Sequence, residues 1–135
     1  MHEKLGKVVT VVFGGCSFHH INEVNVLQPI VVNACHRAGA TVLGSKGVQF
    51  FHEEQEGVKD GASAIALLGE SHAAGHSWPR QGYLVCVVYT CGDINPEKIT
   101  SLIGESVKTT QFKVALLDLD QLLVDPNVPW VSADT

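Results

Sequence analysis

The residue types that could do chemistry are concentrated in one segment of the sequence, between residues 69 and 93. It contains a serine, two histidines, a tryptophan and a cysteine, namely Ser71, His72, His76, Trp78 and Cys91. Serine and cysteine act as nucleophiles or proton donors when a histidine or another suitable partner lies within hydrogen-bonding reach. The pattern places all five within a strand-turn-strand unit, so this segment is the first candidate for an active site.

Alternation along the strand predicted for residues 82–91 separates its two cysteines. Cys91 falls on one face and Cys86 on the other, so at most one of them can share a pocket with Ser71. The face of Cys91 also carries Tyr83, Val85, Val87 and Tyr89, and the opposite face carries Leu84, Val88 and Thr90.

Three interpretations are open on residue types alone. A hydrolase would use Ser71 or Cys91 with His76 as base, although the G-x-S-x-G context of many serine nucleophiles is absent. A metal site would use His72, His76 and a cysteine, but that spacing of four suits a helix, and the glycine and proline nearby disfavour one. Otherwise both histidines are hydrogen-bonded structural residues, which is the usual role of an isolated histidine.

Four short motifs stand in register in this part of the chain: Glu70-Ser71-His72, His76-Ser77-Trp78-Pro79, Gly82-Tyr83 and Thr90-Cys91-Gly92. They resemble the patterns E-S-H, H-T-W-P-E, G-Y and T-C-G of the short prokaryotic S-adenosylmethionine decarboxylases, a pyruvoyl-dependent family. Gly61-Ala62-Ser63 stands where the family has G-V-S, eight residues before Ser71. The resemblance spans most of the chain.

This resemblance implies a proenzyme that cuts itself between Glu70 and Ser71, giving residues 1–70 and 71–135. The Ser71 hydroxyl would attack the carbonyl carbon of the Glu70–Ser71 peptide and form an ester. β-Elimination would leave dehydroalanine, and hydrolysis would convert it into a pyruvoyl group. Ser71 would thus become the enzyme's own cofactor.

The family implies roles for three more residues. His76 matches the residue that assists elimination, and Ser63 matches one that supports the cleavage intermediate. Cys91 matches the acid that returns a proton to the substrate carbon after CO₂ departs. A pyruvoyl carbonyl forms a Schiff base with an amine and withdraws electrons from it, and a thiol with an ordinary pKa is protonated at neutral pH.

The sequence differs from the family at two positions where the family binds its substrate. Trp78 could stack on an adenine, and Phe51 is the candidate for a facing aromatic, but it lies twelve residues before Ser63. Arg80 stands where the family has a glutamate assigned to the ribose hydroxyls. We expect Arg80 to bind a carboxylate of the intervening acidic loop, which contains Glu53, Glu54, Glu56 and Asp60.

The leading functional hypothesis is therefore decarboxylation of S-adenosylmethionine for polyamine synthesis. One alternative keeps the pyruvoyl chemistry and uses arginine or ornithine. Another is a non-catalytic homologue that binds a small ligand. The resemblance also implies a homodimer of cleaved protomers.

The hydrophobic pattern predicts one α+β domain over residues 1–135, a two-layer sandwich of a mainly antiparallel sheet with helices on one face. Two β-α-β-like halves are indicated, because similar strand ends lead into each main helix. Helices are expected at 22–38, capped by Asn22, and from Asn95-Pro96-Glu97. Strands are expected at 7–13, 40–51 with a break at 44–47, 62–68, 82–91 and 112–119, with a loop at 52–61 and an irregular tail from Asp125.

Composition narrows the partners. The 135 residues are 45% hydrophobic and 17% charged, enough for a buried core without disulfides, so the four cysteines are expected to be free thiols. A net charge of -5 argues against a nucleic-acid partner. No run approaches the ~20 apolar residues of a membrane span, and the first residues lack a secretory-signal pattern. We therefore expect a cytoplasmic protein that binds a small amino-acid-type substrate.

Overall fold

The β-branched and apolar runs of the chain form one six-stranded sheet. The computed structural model describes residues 4–133. The strand order is β2-β3-β4-β5-β1-β6, and every neighbouring pair is antiparallel. The strands are β1 Lys7–Gly14, β2 Val42–Phe51, β3 Lys59–Leu68, β4 Ser71–Trp78, β5 Tyr83–Thr90 and β6 Gln111–Asp118.

The two longest helices pack on one face of this sheet. They are α2 Val24–Arg37, which contacts β2, β3 and β4, and α3 Pro96–Ser106, which contacts β1 and β5. Two short helices, α1 Phe18–Asn22 and α4 Leu119–Val124, precede α2 and follow β6. The predicted α+β sandwich with helices on one face is confirmed. No helix within residues 4–133 is long and apolar enough to cross a membrane.

Each of the two halves connects parallel strands through a helix. Because every neighbouring pair is antiparallel, strand direction alternates across the sheet. β1 is therefore parallel to β2, and β5 is parallel to β6. The connection from β1 to β2 runs through α1 and α2, and the connection from β5 to β6 runs through α3. In neither half are the two parallel strands adjacent, because other strands of the sheet lie between them.

The core lies between the sheet and the two main helices. Burying one aliphatic side chain of this size contributes about 1.5–3 kcal/mol, so this layer is the main source of stability. Burial also raises the pKa of the Cys16 and Cys35 thiols to about 11, and raises that of Cys86 further, so all three stay protonated as apolar filler. The largest fully buried side chains include Val9, Leu27, Val31, Leu84, Val88, Ile99, Ile103 and Val107.

The opposite face of the sheet exposes large apolar side chains. They alternate along the strands with the buried residues and therefore share one face. Contiguous exposed apolar surface of this kind is uncommon on monomers and marks an interaction surface. We call it the open face; it includes Val12, Val48, Phe50, Leu67, Trp78 and Leu117, each about 40–54% exposed.

The predicted helix at 22–38 corresponds to α2, which begins at Val24, and the proposed cap is wrong. Glu23 adopts an extended conformation and separates α1 from α2, so it takes the position before α2. Asn22 is the last residue of α1, and its side-chain oxygen accepts a hydrogen bond from the Gly61 N–H at 2.9 Å. Asn22 therefore ties the helix to the start of β3.

The predicted break in the second strand is also wrong, because β2 continues through residues 44–47. A Cβ at Gly47 would lie 2.4 Å from the Gln28 side-chain oxygen of α2. The glycine therefore permits close approach of the helix, and the strand itself stays intact. The following loop is shorter than predicted, since β3 begins at Lys59.

Candidate active site

The peptide bond between Glu70 and Ser71 lies in the tight turn that joins β3 to β4. Leu68 pairs with Ser71, so only Gly69 and Glu70 form the connection. Glu70 has a φ of +53°, in the left-handed region that residues with a Cβ rarely adopt. Holding a residue there costs about 1–2 kcal/mol. The predicted cleavage point therefore coincides with a strained turn.

Cys91 contacts both sides of this peptide. Its backbone N–H donates to the Ser71 hydroxyl oxygen at 3.2 Å, and its sulfur lies 3.8 Å from the same oxygen. Its thiol also donates to the carbonyl oxygen of Glu70 at 3.6 Å. The nucleophile predicted from the sequence, the carbonyl that it would attack and the predicted acid are thus adjacent.

Ser63 and His76 form a second cluster on the open face. They are direct partners in the pairing of β3 with β4, and the Ser63 hydroxyl lies 2.7 Å from the Nδ1 atom of His76. Adjacent strands bring opposed side chains together, which explains why residues thirteen apart in sequence share a hydrogen bond.

The two clusters are well separated within one chain. Ser71 and His76 are five residues apart on β4, which at ~3.3 Å per residue is roughly 16 Å. An odd separation along a strand also directs their side chains to opposite faces. Ser71 and Cys91 therefore meet at one end of the sheet, whereas His76 and Ser63 lie toward the other.

The substrate-binding residues predicted from the sequence lie with the second cluster. Trp78 and Arg80 line a cavity of about 470 Å³ together with Ser63 and His76. Phe51 is not among the lining residues; its neighbour Phe50 is, because alternation turns Phe50 to the open face. The structure therefore offers Phe50, in place of Phe51, as the aromatic across the cavity from Trp78.

Arg80 forms the ion pair expected from the acidic loop. Its Nε and Nη2 atoms donate to the two carboxylate oxygens of Asp60, at 3.1 and 2.7 Å. Of the four loop carboxylates considered, Asp60 is thus the partner, and it lines the same cavity.

The competing interpretations fit this geometry poorly. His72 and His76 both lie on β4, about 13 Å apart along the strand, too far to share one metal ion. Within residues 4–133 no three His, Cys, Asp or Glu side chains cluster as metal ligands do. His76 hydrogen-bonds to Ser63, so within this chain it does not act as base for Ser71.

Tyr89 is a further group near the first cluster that the sequence did not single out. Burial, followed by the nearby Cys91 and Glu70, raises the pKa of its hydroxyl. The Tyr89 hydroxyl donates to the Leu5 carbonyl oxygen. The sequence placed it on the same face as Cys91 in the strand predicted for residues 82–91, but nothing there distinguished it from an ordinary strand tyrosine.

Similarity to known proteins identifies the family of this chain. The sequence profile of the family described as S-adenosylmethionine decarboxylase matches residues 7–118. A protein of Syntrophomonas wolfei named S-adenosylmethionine decarboxylase proenzyme is 33% identical over 115 residues, which cover 84% of this chain and 85% of that one. The chain therefore belongs to the S-adenosylmethionine decarboxylase family.

Other relatives extend the comparison to archaea and to a solved structure. A proenzyme of the same name from Methanococcus vannielii is 28% identical over 127 residues, covering 90% of this chain and 98% of that one. The crystal structure of the adenosylmethionine decarboxylase from Aquifex aeolicus superimposes with a TM-score of 0.74 at 23% identity. It covers 85% of this chain and 90% of that one, and it shows the shared fold.

Proposed function

We propose that this chain is a cytoplasmic proenzyme that cleaves itself at Glu70–Ser71 and then decarboxylates S-adenosylmethionine. Its product would supply the aminopropyl group for polyamine synthesis. One observation carries the proposal: in the strained turn at Glu70, Cys91 contacts both the Ser71 hydroxyl and the carbonyl of the adjoining peptide. The family relationship supplies the reaction class.

Cleavage follows from the groups in this turn. The Ser71 oxygen attacks the Glu70 carbonyl carbon, the C–N bond breaks, and the hydroxyl proton passes to the departing nitrogen. The Cys91 thiol polarises the carbonyl through the 3.6 Å contact, and its N–H orients the nucleophile. The product is an ester without the strained peptide at Glu70.

Conversion of the ester requires a base and water. Removal of the proton from the Ser71 Cα expels the Glu70 carboxylate from Cβ, leaving dehydroalanine. Water then adds and ammonia leaves, which gives the pyruvoyl group. The site fits this group, because Ser71 begins β4 beside an open cavity of about 310 Å³ that is also lined by Cys91.

In turnover, a pyruvoyl group formed at position 71 would supply an electron sink for the substrate α-carbon. The chain's own residues bind and protonate. The Cys91 sulfur lies 3.8 Å from the oxygen of the residue that becomes the cofactor, which suits this thiol to protonate the substrate carbon. Trp78 and Phe50 offer exposed aromatic faces on which an adenine can stack.

The separation of the two clusters leads us to propose a homodimer. One chain cannot bring His76 to Ser71 across roughly 16 Å of the same strand. A second copy, placed so that its open face meets the end of the first copy's sheet where Ser71 lies, can supply His76 and Ser63 to that serine. Two-fold symmetry then creates two equivalent composite sites. The exposed apolar residues of the open face provide the surface for this contact.

The activity is tested by measuring CO₂ release from carboxyl-labelled S-adenosylmethionine. We expect purified wild-type protein to release CO₂, and Ser71→Ala to release none, because alanine cannot form the pyruvoyl group. Reductive trapping with cyanoborohydride should inactivate the wild type in the presence of substrate. A Ser71→Ala protein as active as the wild type would contradict the proposal.

A further inference from the structure

An ion pair forms the far wall of the cavity that contains Ser63 and His76. Arg80 donates one hydrogen bond to each carboxylate oxygen of Asp60. This bidentate geometry fixes the relative orientation of the two side chains more tightly than a single hydrogen bond does. Asp60 is the less exposed partner, with 21% of its side chain accessible, against 65% for Arg80. The carboxylate is therefore held in place at the cavity wall.

Strand register orders the groups along this cavity. His76 and Ser63 lie at one end, and Trp78 follows two residues later on the same face, about 7 Å further along β4. Asp60 precedes Ser63 by three residues on β3, roughly 10 Å away. A substrate whose reacting amino acid lies at the His76 end therefore extends its distal group past the aromatic residues to the ion pair.

The charges of this pair cancel, which determines the kind of group it favours. Each carboxylate oxygen of Asp60 still has capacity to accept a hydrogen bond after binding Arg80. A neutral donor such as a sugar hydroxyl can use that capacity. A distal ammonium or guanidinium meets the Arg80 charge beside the carboxylate and gains little attraction for its lost hydration.

We infer that the Asp60–Arg80 pair is the specificity determinant of this enzyme. Asp60 accepts hydrogen bonds from the hydroxyls at the distal end of the substrate. Arg80 positions Asp60 and cancels the attraction that its carboxylate would exert on a distal cation. The pair therefore selects S-adenosylmethionine, with its distal ribose, over arginine and ornithine. The inference rests on the proposed function and specifies how its substrate is chosen.

The test is a decarboxylation panel of S-adenosylmethionine, arginine and ornithine on Asp60→Asn, Arg80→Gln and the double variant. Arg80→Gln frees the Asp60 carboxylate, so kcat/KM for arginine and ornithine should rise about fivefold relative to S-adenosylmethionine. Asp60→Asn leaves Arg80 unpaired and should raise KM for S-adenosylmethionine about tenfold while kcat changes little. The double variant has no unpaired charge at this site, so its KM for S-adenosylmethionine should be lower than that of Asp60→Asn.

A matched control breaks the neighbouring ion pair outside the cavity. Glu23→Gln removes the 2.6 Å contact with Lys59, the residue next to Asp60, and should leave the substrate ratios unchanged. The shift in Arg80→Gln should shrink at high salt, since salt screens exposed charges. A merely structural role for the pair would not produce that dependence.

The outcomes separate this inference from the proposed function. Cleaved wild type that uses S-adenosylmethionine, with substrate ratios in Arg80→Gln no different from those of Glu23→Gln, overturns the inference alone. Cleaved wild type that prefers arginine or ornithine overturns the inference and the substrate assignment. Wild type that neither cleaves nor releases CO₂ overturns the proposed function, and the inference with it.

Discussion

Two inactive variants, Ser71→Ala and His76→Ala, should restore activity when they are expressed together. In a mixed dimer, the Ser71 of the His76→Ala chain meets the intact His76 of the other chain, so one of the two sites is complete. Equal expression makes half of the dimers mixed, each with one complete site. We therefore expect about a quarter of the wild-type CO₂ release per chain, from two proteins that show almost none alone.

A second pair of variants provides the control. Ser71→Ala with Cys91→Ala should gain nothing beyond the residual activity of Cys91→Ala. Both substitutions fall in the same cluster, so no mixed dimer contains a complete site. Restoration by both pairs, or by neither, would contradict the composite site that the separation along β4 predicts.

Replacing Cys86 of β5 and replacing Cys91, the residue that follows β5, should have very different effects. Cys91→Ala should still cleave, because Ser71 and the backbone N–H of position 91 remain. Its turnover should fall by ~10²–10⁴, the usual loss for one positioned proton donor. Misplaced protonation should also inactivate the pyruvoyl group by transamination, so CO₂ release should slow progressively during the assay.

Cys86→Ala is the matched substitution, five residues earlier in the chain and within β5. Cys86 is fully buried against the helices, and its raised pKa keeps it protonated there. Its loss should lower the melting temperature slightly, by removing a packed sulfur atom, and leave kcat within about twofold. Equal losses of kcat in the two variants, measured on fully cleaved protein, would count against Cys91 as the acid.

Much of the fold followed from local patterns. The β-branched run of β1 and the alternation of β5 predicted both strands. Asn95 before Pro96 predicted the start of α3, and the Asn95 side chain accepts a hydrogen bond from the Glu97 N–H at 3.0 Å. Such signals are carried by residues close in sequence.

The full extent of β4 was not visible. Residues 71–78 are rich in small and polar side chains, and β-branched residues are absent from the segment, so intrinsic propensity does not mark it as a strand. It forms because strands β3 and β5 pair with it on both sides. Tertiary pairing of this kind overrides local preference, and the sequence alone does not state it.

The arrangement of the site depends on β4, the strand that the sequence did not predict. The motif around residues 70–78 brought Ser71 and His76 together in sequence, but an extended β4 holds them apart. Likewise, Phe50 and Phe51 are indistinguishable as residue types, and only the register of β2 against β3 turns Phe50 toward the cavity. Residue chemistry indicated which groups matter, and strand register determines which of them meet.

The most direct test of the account is the intact mass of the purified protein, with Ser71→Ala as the reference. We expect wild type to resolve into two fragments, residues 1–70 and 71–135, the second carrying a pyruvoyl group and so resistant to Edman degradation. Ser71→Ala should stay one chain of the full 135 residues. A wild type that keeps the mass of the full chain after prolonged incubation would contradict the proposed self-cleavage, and with it the decarboxylase.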